Sequence, residues 1–255
     1  MSGGHAHGLY VHAPSRVHRL PPQCKVASTF LFIVAVVATP REAIWAFGLY
    51  ALLILVVARV AGVPAAFVQR RLVFEIPFLT FAAFLPFLGG GERVEWAGIS
   101  LSVEGLWGAF NIAVKASLGA SATILLAATT PVADILHGLE RLKTPRVFVA
   151  IAHFMVRYGD VITGEMRRMK VARLSRAYEP RWIWQARAAA ASLGSLFIRS
   201  YERGERVYLA MLSRGYAGAV PVIDRHTPAP VEWAAAMLLP GAATAVALVA
   251  WLVVA

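Results

Sequence analysis

The chain has 255 residues, of which 58% are hydrophobic and only 15% are Asp, Glu, Lys or Arg, yet its net charge is +11. Soluble domains carry about 25% charged residues, so this composition excludes an ordinary soluble enzyme and indicates a membrane protein with a basic surface on one side. The single cysteine, Cys24, excludes an internal disulfide and a cysteine-based zinc site.

Residues 1–24 form a polar, basic head in front of the first apolar run. The head and the run imitate a signal peptide, but no small-residue cleavage site follows, and the polar segment 39–42 leads directly into a second apolar run. The head contains His5, His7 and His12, which are candidate metal ligands. Three histidines without a fold around them do not make a built site, so we expect no metal on this chain.

Five apolar runs approach or reach the roughly 20 helical residues that cross a ~30 Å hydrocarbon core. They lie at about 25–40, 43–60, 72–88, 105–129 and 232–255. The fourth run is rich in Gly, Ala and Ser, which allow helices to approach closely. The runs predict an all-α membrane protein with a bundle of about five transmembrane helices, four within 25–130 and one at 231–255.

The charges of the loops predict the orientation, because cytoplasmic loops are enriched in Lys and Arg. Basic residues precede the first run and separate the second from the third, whereas the loop 89–104 carries three Glu and one Arg. We therefore predict a cytoplasmic N-terminus, an outer 89–104 loop and a cytoplasmic segment at 131–230.

That segment holds most of the net charge. Residues 131–226 contain 16 Lys and Arg against 8 Asp and Glu, a net of +8. Thr130-Pro131 and Thr144-Pro145 are typical of an N-cap Thr followed by Pro at the first helical position. Helices are predicted over 131–143, 145–178 and 181–214. The two long ones combine an apolar stripe with many arginines, which is typical of amphipathic helices.

Both long helices end on the same short sequence. The first ends Leu174-Ser175-Arg176-Ala177-Tyr178, the second ends Leu212-Ser213-Arg214-Gly215-Tyr216, and 38 residues separate the two arginines. With these motifs the chain resembles the transmembrane (T) component of energy-coupling factor transporters, in the cobalt-type, CbiQ-like branch. That family carries two Ala-Arg-Gly-like signatures at the ends of cytoplasmic coupling helices.

The resemblance extends over nearly the whole chain and is most specific in the block 195–216. The chain departs from the family pattern in having Ser in place of the first Ala of both signatures, and Ala177 in place of Gly in the first. It implies that Ser175, Arg176 and Ala177, together with Ser213, Arg214 and Gly215, are the ATPase-coupling residues. Arginine is suited to this task because its guanidinium pairs with carboxylates through two hydrogen bonds.

The resemblance further implies a non-catalytic scaffold in the plasma membrane of a prokaryote. Its partners would be two cytoplasmic ABC-type ATPase subunits, a substrate-binding membrane subunit and the lipid bilayer, with ATP bound by the partners and no cofactor on this chain. The sequence also indicates that this chain does not itself bind ATP through a P-loop, because no G-x-x-x-x-G-K-[ST] motif is present. The implied substrate is cobalt, and nickel or a vitamin is the alternative.

A membrane-embedded enzyme with a site near Glu75, Asn111 and Lys115 is the alternative from another class, since charges inside a membrane mark functional sites. The signatures H-E-x-x-H and G-x-S-x-G are absent. We expect Lys115 to be a packing or subunit-contact residue. We also expect Glu75 and Lys115 to lie at different depths and not to pair. Nucleic acid is not an expected partner.

Overall fold

The computed structural model describes residues 10–11, 13, 15–90, 92–96, 99–176, 186–218 and 227–254. The chain divides into two compact units. The bundle unit comprises Leu9–Leu142 and Thr227–Ala255, and the long-helix unit contains Lys143–His226.

The bundle unit is almost entirely helical. Its helices in chain order are α1 (Arg16–Arg19), α2 (Pro22–Ala38), α3 (Ile44–Ala61), α4 (Ala65–Leu72), α5 (Ile76–Ala82), α6 (Leu85–Leu88), α7 (Val103–Thr129), α8 (Val132–Arg141) and α11 (Pro230–Val254). A 3-10 turn at Val73–Glu75 joins α4 to α5. The long-helix unit contributes α9 (Arg146–Leu174) and α10 (Ala186–Leu212).

Five helical segments in the described parts of the chain are long and apolar enough to cross a membrane. They are Ile44–Ala61, Ala65–Leu88, Val103–Thr129, Arg146–Leu174 and Pro230–Val254. The chain is therefore an all-α, multi-pass membrane protein, as predicted. The set differs in one member from the predicted runs: α2 has only 17 residues, whereas α9 qualifies through its apolar N-terminal half.

Hydrogen bonds at both ends of α2 fix its direction against α7. Near the start of α2, the Lys25 Nζ donates to the Thr129 carbonyl at 3.0 Å, and near its end the Val37 carbonyl accepts from the Lys115 Nζ at 2.8 Å. The two helices are thus antiparallel, which agrees with the alternating directions predicted for the first and fourth runs.

Small side chains bring the helices of the bundle together. The buried core contains nine alanines beside a few large residues, of which Phe32 and Tyr50 are fully buried with their rings perpendicular at 5.9 Å. Alanine permits close approach between helices in a membrane, where no water is available to drive apolar association. The outward-facing Leu, Val and Phe side chains of the same helices remain exposed, as expected of surfaces that face lipid.

The two predicted Thr-Pro helix starts are wrong in detail. Pro131 and Pro145 occupy the N-cap positions with extended ψ angles of 148° and 125°, so α8 and α9 begin one residue after each proline. Neither helix start has a side-chain cap, and the buried Thr130 Oγ1 has no hydrogen-bond partner within the described residues. Helix α8 belongs to the bundle unit, where it packs against α2.

The loop predicted at 89–104 contains a β-hairpin. Strands β1 (Arg93–Trp96) and β2 (Ile99–Ser102) pair antiparallel, and Ser102 then caps α7 by accepting a hydrogen bond from the Gly105 N–H at 3.1 Å. Gly105 lies directly against α6, since a Cβ at this position would be 2.5 Å from the Leu85 carbonyl oxygen. Glycine is therefore required where α6 meets the start of α7.

Candidate functional site

An ion pair joins α9 to α10 in the long-helix unit. The Arg203 Nη2 lies 3.1 Å from the Glu165 Oε1, and the Glu165 side chain is only 15% exposed. Beside the pair lies an apolar cleft of about 430 Å³, lined from α9 by Ile151, Phe154, Met155, Tyr158 and Ile162, and from α10 by Ser200, Arg203, Gly204, Val207, Tyr208 and Met211. Seven of these residues belong to the apolar stripes predicted from the sequence: Ile151, Met155, Tyr158, Ile162, Gly204, Tyr208 and Met211.

The positions of the cleft residues show that α9 and α10 run in opposite directions. On α9 the cleft lies entirely before Glu165, and on α10 it lies mostly after Arg203. The ends of α9 and α10 that carry Arg176 and Arg214 therefore lie at opposite ends of the helix pair.

The end of α10 is a Schellman motif, a left-handed helix termination that glycine favours. Gly215 has φ = +82°, its N–H donates to the Leu212 carbonyl, and the Tyr216 N–H reaches back to the Met211 carbonyl, both at 3.0 Å. The motif terminates the helix immediately after Arg214. Glycine is therefore favoured at this position by its backbone conformation, and not only by its small size.

The end of α9 repeats the local geometry of the end of α10. The Ser175 Oγ donates to the Ala172 carbonyl at 3.1 Å, and the Ser213 Oγ donates to the Ala210 carbonyl at 3.0 Å. The backbone N–H groups of Arg176 and Arg214 also donate to the carbonyls three residues before them, at 3.1 and 3.0 Å. The sequence repeat is thus a structural repeat. Ala177, the last residue of the first predicted signature, lies outside the described residues, as do His5, His7 and His12.

Arg176 and Arg214 are both exposed. Among the residues that the structure describes, no carboxylate forms an ion pair with either guanidinium. Serine at the first signature position turns its hydroxyl back onto its own helix, so it adds no bulk between the arginine and an approaching surface. Each helix end therefore carries one exposed guanidinium group.

The bundle unit contains a second polar cluster, at the C-terminal end of α2. Lys115, half-buried near the middle of α7, donates through its Nζ to the carbonyls of Val37 and Thr39, both at 2.8 Å. Between these two, the Ala38 carbonyl accepts from the Trp251 Nε1 of α11 at 2.9 Å. Three consecutive carbonyls of α2 are thus satisfied by side chains of other helices.

Tyr50 extends this cluster into the core. Its hydroxyl lies 2.8 Å from the Thr39 Oγ1 and 3.3 Å from the Ala243 carbonyl oxygen, so it joins α2, α3 and α11. Helix ends inside a membrane need such partners, because no water is present to bind the last carbonyls. The sequence identified Lys115 as an intramembrane charge and a packing candidate. Its carbonyl partners lie about 75 residues away in the sequence, so no local pattern could predict these hydrogen bonds.

Glu75 also has a partner on α7. Its Oε2 accepts from the Ser117 Oγ at 3.0 Å, which puts the carboxyl within one helical turn of Lys115. The expectation that Glu75 and Lys115 lie at different depths is therefore wrong, because the third helical segment begins at Ala65 and not at about residue 72, so Glu75 lies near its middle. Within the described residues, no ion pair or hydrogen bond joins any two of Glu75, Asn111 and Lys115.

Comparison with known proteins gives a family match over most of the chain. Residues 14–224 match the family model described as "Cobalt transport protein" (CbiQ). The energy-coupling factor transporter transmembrane protein EcfT of Bacillus selenitireducens is 30% identical over 230 residues, with 83% of both chains covered. The protein of the same name from Thermanaerovibrio acidaminovorans is 30% identical over 241 residues, covering 89% of this chain and 87% of the relative.

A relative named for a metal is also similar. The cobalt transport protein CbiQ of Rhodobacter capsulatus is 29% identical over 172 residues, which cover 66% of this chain and 68% of the relative. The family match spans helices α1 to α8, the two long helices and both arginine signatures, and it ends before α11. This chain therefore belongs to the CbiQ cobalt transport protein family.

Proposed function

We propose that this chain is the transmembrane scaffold of an energy-coupling factor importer. In this role it would link ATP hydrolysis by two cytoplasmic ATPase subunits to the uptake of cobalt, which a separate membrane subunit captures. The chain itself would be non-catalytic and would bind no cofactor. One observation carries the proposal: the antiparallel α9–α10 pair presents two equivalent, exposed arginines, Arg176 and Arg214, at its opposite ends.

Two equivalent ends suit two equivalent partners. Each ATPase subunit would receive one arginine in an acidic groove, where the guanidinium forms paired hydrogen bonds with carboxylates. The stiff helices would transmit the closure of the ATPase pair to the membrane, and the Glu165–Arg203 ion pair would hold them as one body. The net charge of +8 on residues 131–226 favours a cytoplasmic position and an acidic partner.

Co-purification of the ATPases with an Arg176→Ala/Arg214→Ala variant tests the docking. Removal of one partner from a buried charge pair costs about 2–5 kcal/mol, so we expect assembly to weaken by a factor of tens to thousands. The double variant Arg168→Ala/Arg206→Ala is the matched control, because each exposed arginine lies eight residues before a tip on the same helix. Wild-type recovery of the ATPases by the tip variant would contradict the proposal.

The transported metal requires a separate measurement. The relative from Rhodobacter capsulatus is named for cobalt, whereas the EcfT relatives carry no substrate in their names. We expect ATP-dependent uptake of radiolabelled Co²⁺ by the reconstituted complex, with weaker competition from Ni²⁺ than from unlabelled Co²⁺. Uptake that Ni²⁺ suppresses more strongly than Co²⁺ would reassign the substrate and leave the scaffold role intact.

A further inference from the structure

Five arginines lie in the half of the bundle where α7 terminates, and we call them the arginine rim: Arg16, Arg19, Arg59, Arg70 and Arg71. Three contacts bring the chain before α1, the start of α2 and the end of α3 to this end of α7, and α4, which carries Arg70 and Arg71, begins four residues after α3 ends. The Val11 N–H donates to the Ala128 carbonyl of α7 at 2.9 Å, and the Lys25 Nζ donates to the Thr129 carbonyl. A Cβ at Gly62, at the end of α3, would lie 3.7 Å from the Ala13 Cβ.

The charge of the rim is not balanced within its own helices. Residues 1–41 and 43–74 contain no Asp or Glu. Four of the arginines (Arg16, Arg19, Arg59 and Arg70) are exposed, and none of these four forms an ion pair in the part of the chain that the structure describes. The half-buried Arg71 lies over the Phe67 ring, 3.5 Å from its centroid. These four exposed arginines therefore have unmet capacity for anions.

Exposed apolar side chains lie beside two arginines of the rim. Phe74 is 85% exposed and follows Arg70 by one helical turn, and Val60 next to Arg59 is 52% exposed. In a membrane protein, side chains of this kind contact lipid tails, while nearby arginines extend to the headgroup layer.

We propose that the arginine rim binds the headgroups of anionic phospholipids and holds this end of the bundle at the membrane surface. Arginine pairs with a phosphate through two parallel hydrogen bonds, and the exposed cations of the rim are all arginines. Each basic side chain near an anionic membrane surface raises affinity by about fivefold, so several together produce a marked preference over zwitterionic lipid. This inference is independent of ATPase docking at Arg176 and Arg214.

Lipid retention by the full chain tests the proposal. The protein is purified in micelles that contain equal amounts of phosphatidylglycerol and phosphatidylcholine, and the bound lipids are counted by native mass spectrometry. We expect phosphatidylglycerol to exceed phosphatidylcholine by more than about tenfold on the wild type. The variant Arg16→Gln/Arg19→Gln/Arg59→Gln/Arg70→Gln should lose this preference, and the corresponding four-lysine variant should keep most of it.

The matched control removes the same charge elsewhere. Arg157, Arg167, Arg168 and Arg199 are exposed on α9 and α10, and their replacement by Gln should leave the lipid preference unchanged. The single Arg59→Gln and Arg70→Gln variants serve as the readout if the fourfold variant does not fold, and each should reduce the preference severalfold.

Three results would overturn the proposal. The first is an equal lipid preference in the rim variants and the wild type. The second is release of the lipid by excess inorganic phosphate, which would make the rim a general phosphate site. The third is unchanged lipid retention combined with loss of co-purifying ATPases, which would assign the rim to an acidic protein partner.

Discussion

Glu165 and Arg203 pair at 3.1 Å, and each lies eleven residues before one of the two exposed arginines, Arg176 and Arg214. At 1.5 Å per residue, each tip is about 16 Å along its helix from the ion pair. The contact between α9 and α10 is thus the midpoint between the tips, and it fixes how the two ends are held with respect to each other.

Removal of this contact should loosen the helix pair. For Arg203→Ala we expect a loss of about 1 kcal/mol, because the arginine is a third exposed and solvent screens the pair. Hydrogen exchange of the α9 and α10 amides should then become about fivefold faster, and the charge swap Glu165→Arg/Arg203→Glu should restore the protection.

Arg206→Ala is the matched control for Arg203→Ala. Arg206 lies on the same helix, but its pair with Glu202 is longer, at 3.9 Å, and both side chains are more than half exposed. Its removal should leave exchange unchanged. Equal exchange in the two variants would show that the Glu165 pair does not hold the helices.

Lys115 should be required for the stability of the bundle unit. In Lys115→Met the carbonyls of Val37 and Thr39 lose their donor, and carbonyls that have neither a donor nor water cost about 1–3 kcal/mol in total. Thermal unfolding can be followed with a thiol-reactive dye, because the only cysteine, Cys24, is fully buried. Lys170→Met on the exposed face of α9 is the control and should unfold like the wild type. A wild-type unfolding temperature for Lys115→Met would refute the capping role.

Gly105 and Gly119 on α7 should respond in opposite ways to alanine. The Cβ of Gly105→Ala would lie 2.5 Å from the Leu85 carbonyl oxygen and 2.7 Å from the Pro86 Cα, so α6 and α7 must separate. We expect a loss of several kcal/mol, as for other overpacked contacts between backbones. Gly119→Ala meets nothing within 4 Å and should stabilise the helix by up to about 1 kcal/mol. The same cysteine assay measures both, and equal effects would contradict the close packing of α6.

The long helices and their matching ends were predictable because the signal is local. The apolar stripes of α9 and α10 repeat every three or four residues, and the Ser-Arg pairs stand at the last turn of each helix. The hydrogen bonds from Lys115 to the last carbonyls of α2 were not predictable. Lys115 meets Val37 across 78 residues, and only the packing of α7 against α2 brings them together.

The errors at the loops have a different physical origin. At Thr130-Pro131 and Thr144-Pro145, the extended ψ of each proline moves the helix start by one residue and leaves the threonine without a capping role. The hairpin at Arg93–Trp96 and Ile99–Ser102 is too short for a periodic pattern, and it follows a glycine-rich segment that favours a loop.

The conformation of Gly215 should determine the strength of the second tip. Gly215→Ala places a Cβ on a residue with φ = +82°, which costs about 1–2 kcal/mol and favours a different helix end. Arg214 would then be displaced, and we expect the affinity for the ATPase pair, measured by titration of the purified subunits, to fall about tenfold. Gly204→Ala, inside α10 with open space around its Cβ, is the control and should bind like the wild type. If Gly215→Ala also binds like the wild type, the left-handed helix end does not position Arg214 for docking.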